Sequence, residues 1–137
     1  MVVPSAKMIE AGKTLLRRLD QVRYRVYAAL WIFMPETGSW RLVIASPQAR
    51  RGHREAYRQL HSHVNKLKSS ALSPNNITVV DDRDSLIRRL KKAVITNDGI
   101  YGFEFSGNTI NGEQFPDAYV HRAASSLPAA SSTDPCH

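Results

Sequence analysis

Residues 24–34 read YRVYAALWIFM, a run rich in aromatic and branched side chains that stops immediately before Pro35. This composition predicts a β-strand, and the proline marks its end because proline has no backbone N–H to donate. Side chains alternate between the two faces of a strand, and both alternating sets are apolar here. The stretch therefore predicts a strand that is covered by protein on both faces, at least near its end.

A tight turn follows this strand, because residues 35–38 read PETG. Proline suits the second position of a type I or II turn, and glycine suits a position with a left-handed backbone. Residues 39–46, SWRLVIAS, then resume the strand pattern. We expect the two segments to form an antiparallel hairpin.

The rest of the chain alternates between helical and strand patterns. Apolar residues recur at three- and four-residue steps, which predicts helices from Ser5, as N-cap, to about Gln21, at about 53–69 and at about 84–96. Further strands are predicted at 77–80, 100–105 and 117–123. The order α-β-β-α-β-α-β-β predicts an α+β fold, in which about three helices pack on a single mixed, mostly antiparallel sheet of about five strands.

The length of 137 residues suits one domain. We expect a flexible N-terminus at 1–4, a single α+β domain at 5–123, and a disordered Ala/Ser/Pro-rich tail at 124–137. The longest apolar run, 26–34, is far shorter than the ~20 residues that span a bilayer, so no membrane contact is expected. The lone cysteine, Cys136, allows no disulfide within the chain, which predicts an intracellular, reducing compartment and hence the cytoplasm.

The chain carries 19 Lys and Arg against 12 Asp and Glu, a formal net charge of +7. Such an excess attracts polyanions over long range, so nucleic acid or an acidic protein is the expected partner. The alternative is that the charge only keeps a small protein soluble.

Two clusters concentrate this charge. The first surrounds the start of the second helix, where backbone N–H groups favour anions and arginine forks match phosphate geometry. The second lies on the polar face of the third helix. The candidate binding residues are Arg50, Arg51, Arg54 and Arg58 in the first cluster, and Arg88, Arg89, Lys91 and Lys92 in the second. The alternative for both is an ordinary solvated surface, and the sequence leaves open whether they share one face.

Residues 106–116, SGNTINGEQFP, contain two glycines in a polar stretch, which raises the question of a phosphate-binding loop. Such loops place glycines at a set spacing between a strand and a helix, and here both the spacing and the following helix are missing. Asn111-Gly112 instead predicts a two-residue hairpin turn, flanked by Ile110 and Glu113, because such a turn needs positive φ at both central positions.

Catalytic and metal-binding patterns are weak in this sequence. His53 on the basic loop and His121 on the last strand are the only pair that suits a metal-independent ribonuclease. Asp81, Asp82 and Asp84 follow a strand, where carboxylates can hold Mg²⁺, but an aspartate before a helix more commonly caps it. We therefore expect no metal and no cofactor.

Three functions follow as hypotheses. The first is a non-catalytic binding or accessory domain that uses the basic clusters. The alternative is a small metal-independent nuclease-like phosphodiester enzyme built on His53 and His121. The second alternative is a protein–protein adaptor that forms a homodimer through its apolar sheet, because Trp31, Phe33 and Trp40 crowd near the first hairpin turn.

Overall fold

The computed structural model describes residues 4–67, 71–81, 83–97, 99–105, 109–110 and 113–124 of the chain. The helices are α1 (Ala6–Gln21), α2 (His53–Leu67) and α3 (Ser85–Ala93). The strands are β1 (Ala28–Met34), β2 (Ser39–Ala45), β3 (Ile77–Val80), β4 (Phe103–Phe105), β5 (Thr109–Ile110), β6 (Glu113–Gln114) and β7 (Ala118–Ala123). Five strands form one mixed sheet and β5 and β6 form a separate ladder, so the predicted α+β fold and element order are confirmed.

The sheet has the strand order β3-β2-β1-β7-β4, with β1 at its centre. β1 pairs antiparallel with β2 from Ala28↔Ala45 to Met34↔Ser39, which confirms the predicted hairpin. β7 pairs antiparallel with both β1 and β4, whereas β2 and β3 run parallel. A parallel pair needs a crossover connection, and α2 provides it here.

Helices cover both faces of the sheet. α1 and α2 pack against one face, which includes Trp31 of β1 and Leu42 of β2. α3 packs against the other face, which includes Leu30 and Val43. The first five residues of β1 are all buried, so the predicted covering on both faces is confirmed. In the five strands of the main sheet no large hydrophobic side chain is exposed, and the adaptor hypothesis therefore finds no open apolar face on that sheet.

The predicted start of the first strand is wrong. β1 begins at Ala28 rather than at Tyr24, because Arg23 and Arg25 adopt left-handed φ angles of 59° and 68° that an extended strand does not allow. The N–H of Tyr24 instead donates to the carbonyl of Leu19 at 2.9 Å. The segment between α1 and β1 is therefore a helix-terminating loop.

The predicted end of the third helix is also wrong. α3 ends at Ala93 rather than near residue 96, and Val94 is already extended. Thr96 donates its N–H to the carbonyl of Ala123 in β7 at 2.8 Å. Pairing with β7 therefore ends the helix earlier than its apolar periodicity predicts.

The structure describes the strands of the second predicted hairpin but not its turn. β4 is shorter than the predicted strand 100–105, and it pairs antiparallel with β7 as expected. Ile110 pairs with Glu113 across the β5–β6 ladder. The intervening residues Asn111 and Gly112, like residues 106–108, lie outside the described part of the chain, as do 1–3 and the predicted tail from 125 onward.

β7 contains a β-bulge that turns two successive side chains towards α1. Ala29 of β1 pairs with Arg122 and Leu30 pairs with Val120, so His121 is the extra residue. A bulge interrupts the alternation of a strand because two residues oppose one. Both the imidazole of His121 and the guanidinium of Arg122 consequently reach α1.

Arg122 is fully buried and forms a forked ion pair with Asp20 near the end of α1. Its Nη1 lies 3.0 Å from Oδ1 and its Nη2 lies 2.8 Å from Oδ2. The guanidinium also donates to the carbonyl oxygens of Val26 at 3.2 Å and Gly99 at 3.0 Å. Because a buried charge is tolerated only when it is paired and hydrogen-bonded, these contacts fix α1 and two loops against β7.

α1 approaches the sheet closely at Gly12, which is one of its buried residues. A Cβ at this position would lie 2.7 Å from Nε2 of His121 and 2.9 Å from Nε1 of Trp31. Both rings are fully buried, so they have little room to move aside. The absence of a side chain is therefore what allows α1 to pack at this distance.

We expect Asp20→Asn to lower the free energy of unfolding by roughly 3 kcal/mol, the lower end of what breaking a buried ion pair costs. The substitution leaves the buried guanidinium of Arg122 without a carboxylate, while the 35% exposure of the Asp20 side chain lets water compensate in part. Urea denaturation followed by circular dichroism measures the change. Glu36→Gln, in the exposed hairpin turn, is the control and should stay within about 0.5 kcal/mol of the parent. Equal loss in both variants would contradict the structural role of the pair.

Gly12→Ala is expected to lower the melting temperature. Overpacking a core costs about 1–3 kcal/mol, whereas replacing a helical glycine by alanine gains only about 1 kcal/mol. The steric cost is therefore the larger of the two. Thr14→Ala, on the exposed side of the same helix, should leave the melting temperature unchanged or slightly higher. A rise for Gly12→Ala would show that α1 does not lie this close to the two rings.

Candidate functional site

The parallel pair β2–β3 decides where the two predicted basic clusters lie. The chain leaves β2 for α2 on one face of the sheet, and it leaves β3 for α3 on the other face. The cluster at the start of α2 and the cluster on α3 therefore lie in opposite layers. They do not form one surface.

A short 3-10 turn, Pro47–Arg51, leads from β2 into α2. Ser46 fixes the start of this turn, because its Oγ accepts the N–H of the second turn residue at 3.2 Å. Gly52 fixes its end with a φ of 139°, a value that residues with a side chain rarely adopt. The turn sets Arg50, which is exposed, directly before α2. The side chain of Arg51 lies outside the described part of the structure.

A cleft of about 290 Å³ lies between the start of α2 and the edge strand β3, lined by His53, Arg54, Tyr57, Thr78 and Val79. The hydroxyl of Tyr57 donates to the carbonyl of Ile77 at 2.9 Å and ties α2 to β3 at this point. His53 and Arg54 are both exposed at the rim of this mostly apolar cleft. Two of the predicted site residues are thus brought together here.

Arg58 lies one turn after Arg54, and it is engaged by a neighbouring acid. Its Nε lies 3.1 Å and its Nη2 lies 2.5 Å from the two carboxylate oxygens of Glu55. This hydrogen-bonded pairing lowers the pKa of the Glu55 carboxyl and raises the pKa of Arg58. The charge of Arg58 is therefore largely balanced locally, and Arg54 is the stronger candidate for an external anion.

The cluster on α3 divides into two pairs. Arg89 lies over the ring of Phe115 at 5.5 Å and Lys91 lies over the ring of Tyr27 at 5.0 Å, measured to the ring centroids. Cation–π contacts of this kind attach a charged side chain to the aromatic surface below it. Arg88 and Lys92 are the exposed members. Two of the four predicted residues are therefore also used in packing.

The structure separates the predicted histidine pair by burial. His53 is exposed in the cleft, whereas His121 is fully buried. Nδ1 of His121 lies 2.8 Å from the carbonyl of Tyr101, so this nitrogen is the donor and Nε2 faces Gly12 without a hydrogen. Burial lowers the pKa of His121, although the Tyr101 hydrogen bond acts in the opposite direction. The neutral imidazole of His121 belongs to the packing of α1 and cannot contact an external substrate.

The aspartates after β3 act as caps. The carboxylate of Asp84 accepts the N–H of Leu86 at 3.1 Å and caps α3, as predicted. Asp81 accepts the N–H of Arg83 at 2.7 Å, and Asp82 lies outside the described residues. Within the described ranges, no three His, Cys, Asp or Glu side chains are arranged to hold a metal ion.

A third basic grouping, which the sequence patterns did not reveal, lies on the α1 side of α2. Burial lowers the pKa of His63, and the positive charges of Arg18 and Lys66 lower it further. Nε of Arg18 and Nδ1 of His63 are buried and lack a hydrogen-bond partner in the described part of the protein. One signal was present in the sequence: residues 56–80 contain no aspartate or glutamate. The packing of α1 beside α2 was the missing information.

A scan against protein-family models, a search of curated proteins and a search of solved structures each found no match for this chain. No helix within the described ranges is long and apolar enough to cross a membrane. The function therefore has to be inferred from the geometry of the cleft and the charges around it.

We expect Arg18→Gln to raise the pKa of His63 towards its usual value of 6.5, because one of the two neighbouring positive charges is lost. The pKa of His63 should return only part of the way to 6.5, since burial lowers it more than the neighbouring charges do. NMR titration of the imidazole measures it. Arg17→Gln removes the same charge from the exposed neighbouring position and should shift the pKa less; an equal shift would contradict the proximity of Arg18 to His63.

The same shift predicts a stability change with pH. The folded-state pKa of His63 lies below its unfolded value, so the unfolded chain binds a proton at His63 more readily than the folded protein does. The contribution of neutral His63 to the free energy of unfolding is therefore complete above about pH 6.5 and is lost as the pH falls through the folded pKa. The acid-induced loss should be smaller in Arg18→Gln than in Arg17→Gln. Urea denaturation at a series of pH values checks this expectation.

Proposed function

We propose that this protein is a non-catalytic binding domain that contacts the phosphate backbone of nucleic acid through the start of α2. The observation that supports it most directly is the cleft beside β3, where Arg54 and His53 lie together at the beginning of a helix. First-turn amide groups of a helix carry partial positive charge and add to that of a guanidinium. Arg50 extends the positive surface onto the preceding turn.

The charges around the cleft support an anionic ligand. Glu55 is the acid next to Arg54 in the chain, and its carboxylate already accepts hydrogen bonds from Arg58 and Gln59. No further carboxylate follows until Asp81. The net charge of +7 adds a long-range attraction for polyanions that depends on ionic strength.

Phosphate contacts position a protein on nucleic acid without reading its bases, so we infer binding that is indifferent to sequence. No observation favours a phosphodiester enzyme, since the imidazole of His121 is fully buried. An acidic protein offers carboxylates to the same positive surface and is the competing partner. We place this activity in the cytoplasm, where a lone cysteine such as Cys136 remains reduced.

The Arg50→Gln/Arg54→Gln double variant is expected to weaken binding to a random-sequence duplex and to a random RNA. Each lost phosphate contact should reduce the slope of log affinity against log salt by about one, so the slope should fall by about two. Fluorescence anisotropy between 50 and 200 mM salt, roughly the range over which phosphate contacts are lost, measures both quantities. Circular dichroism confirms that the variant is folded.

The matched control is Arg88→Gln/Lys92→Gln, which removes the same charge from the exposed side of α3 in the opposite layer. The slope of log affinity against log salt should change less in this control than in Arg50→Gln/Arg54→Gln. Equal changes would show that net charge alone determines binding. Absence of binding at low salt would refute the nucleic-acid proposal, and binding of poly-glutamate in that case would point to an acidic protein partner.

A further inference from the structure

The cleft between α2 and β3 has an apolar interior and a basic rim. Its less exposed lining residues are Tyr57, Thr78 and Val79, and its surface is mostly apolar. His53 and Arg54 are exposed at the rim. A phosphate group gains nothing from an apolar wall, because burying a charge without partners is costly. A ligand that fills this cleft must therefore join an apolar part to an anionic part.

Two contacts hold the ring of Tyr57 in place. Its hydroxyl donates to the carbonyl of Ile77 in β3 at 2.9 Å. The ring of His61, one turn further along α2, packs against it with 4.0 Å between the ring centroids. A ring fixed in this way loses little conformational freedom when a ligand stacks on it, which is the advantage of a preorganised site. Tyr57 therefore offers a flat, half-buried aromatic surface in the wall of the cleft.

The volume of the cleft suits one planar ring system. The cleft measures about 290 Å³, close to the lower limit of roughly 300 Å³ for pockets that take small organic molecules. A nucleobase is such a ring system, it is joined through its sugar to a phosphate, and its π-face stacks on aromatic side chains. In a duplex these faces are covered by the neighbouring base pairs, so only an unpaired base can enter the cleft.

We propose that the cleft holds one unpaired base of a single-stranded nucleic acid, stacked on the ring of Tyr57, while Arg54 contacts a neighbouring phosphate. This assignment rests on the proposed phosphate contact at the start of α2 and names its substrate as single-stranded. His53, the second aromatic ring of the lining, lies at the rim beside the base. Stacking does not depend on which base is present, so binding remains indifferent to sequence.

The first test measures binding of the full chain to two strands of equal length, one with bases and one abasic, at several salt concentrations. Both strands carry the same phosphates, so a difference in affinity comes from the bases. The strand with bases should bind about tenfold more tightly, since stacking of one base contributes a factor of this order. The slopes of log affinity against log salt should be equal. The strand with bases is measured as DNA and as RNA, and the tighter of the two identifies the source.

Tyr57→Leu and Tyr57→Phe are a matched pair of variants, because both lose the hydroxyl bond to Ile77 and only the first loses the aromatic face. Tyr57→Leu should abolish the advantage of the strand with bases and leave the affinity for a duplex unchanged. Tyr57→Phe should retain that advantage. His53→Ala, at the exposed rim, should reduce it and provides a second variant if Tyr57→Leu folds poorly.

Equal affinities of the parent protein for the two strands, with the salt dependence retained, would overturn the stacked base and leave the proposed phosphate contact standing. Equal losses in Tyr57→Leu and Tyr57→Phe would also overturn it, because the hydroxyl bond would then explain the effect. Absence of binding to either strand at low salt would reject the proposed function together with the single-stranded substrate.

The second test uses one nucleotide and does not require strand binding. Adenosine monophosphate and ribose 5-phosphate are titrated separately at constant ionic strength, and the ring signals of Tyr57 are followed by NMR. Adenosine monophosphate should shift these signals saturably and ribose 5-phosphate should not, because only the first carries a base. Responses of equal size would overturn the stacking. Base-dependent shifts in a protein that binds no strand would keep the cleft as a site for a free nucleotide and reject the proposed function.

Discussion

The guanidinium of Arg122 is the point on which the rest of the structure depends. It is fully buried, and it is bonded to both carboxylate oxygens of Asp20 and to the carbonyls of Val26 and Gly99. Taking this charge out of water is favourable only if all these partners are present together. The side chain of Arg122 in β7 therefore holds together the end of α1, the approach to β1 and the loop before β4.

The bulge in β7 links the buried ion pair to the position of α1 and, through α1, to the candidate site. Because His121 is an extra residue, both it and Arg122 face α1, and the imidazole comes so close to the helix that only glycine fits at position 12. α1 is thereby fixed in position and direction against the sheet. Its last turn then brings the charge of Arg18 close enough to α2 to lower the pKa of His63. The charge pattern on the surface is thus a consequence of an ion pair and a close contact beneath it.

Local patterns explain why the fold was predictable and why parts of the site were not. The strands and helices follow from periodicities within a few residues of each other, and the cluster at Arg54 is contiguous in the sequence. The bulge is different, because strict alternation would send His121 and Arg122 to opposite faces. The grouping of Arg18 with His63 depends on which helices become neighbours, and nothing within either segment specifies that. Sequence patterns therefore identified the basic residues that are neighbours in the chain, around Arg54. They missed the grouping of Arg18 with His63, which only tertiary packing creates.

Because the chain crosses from β2 to β3 through α2, the positive side chains of α2 and of α3 lie on opposite sides of the sheet and make different contacts. On the α3 side, Arg89 and Lys91 lie over aromatic rings, so part of their contribution is to the packing of a short helix. On the α1–α2 side, Arg54 lines a cleft, and the nearest acid is engaged elsewhere. A net charge of +7 spread evenly would attract polyanions without orienting them. Because the helices following two parallel neighbours lie on opposite faces, one layer is left with cations arranged along the two flanks of a single helix.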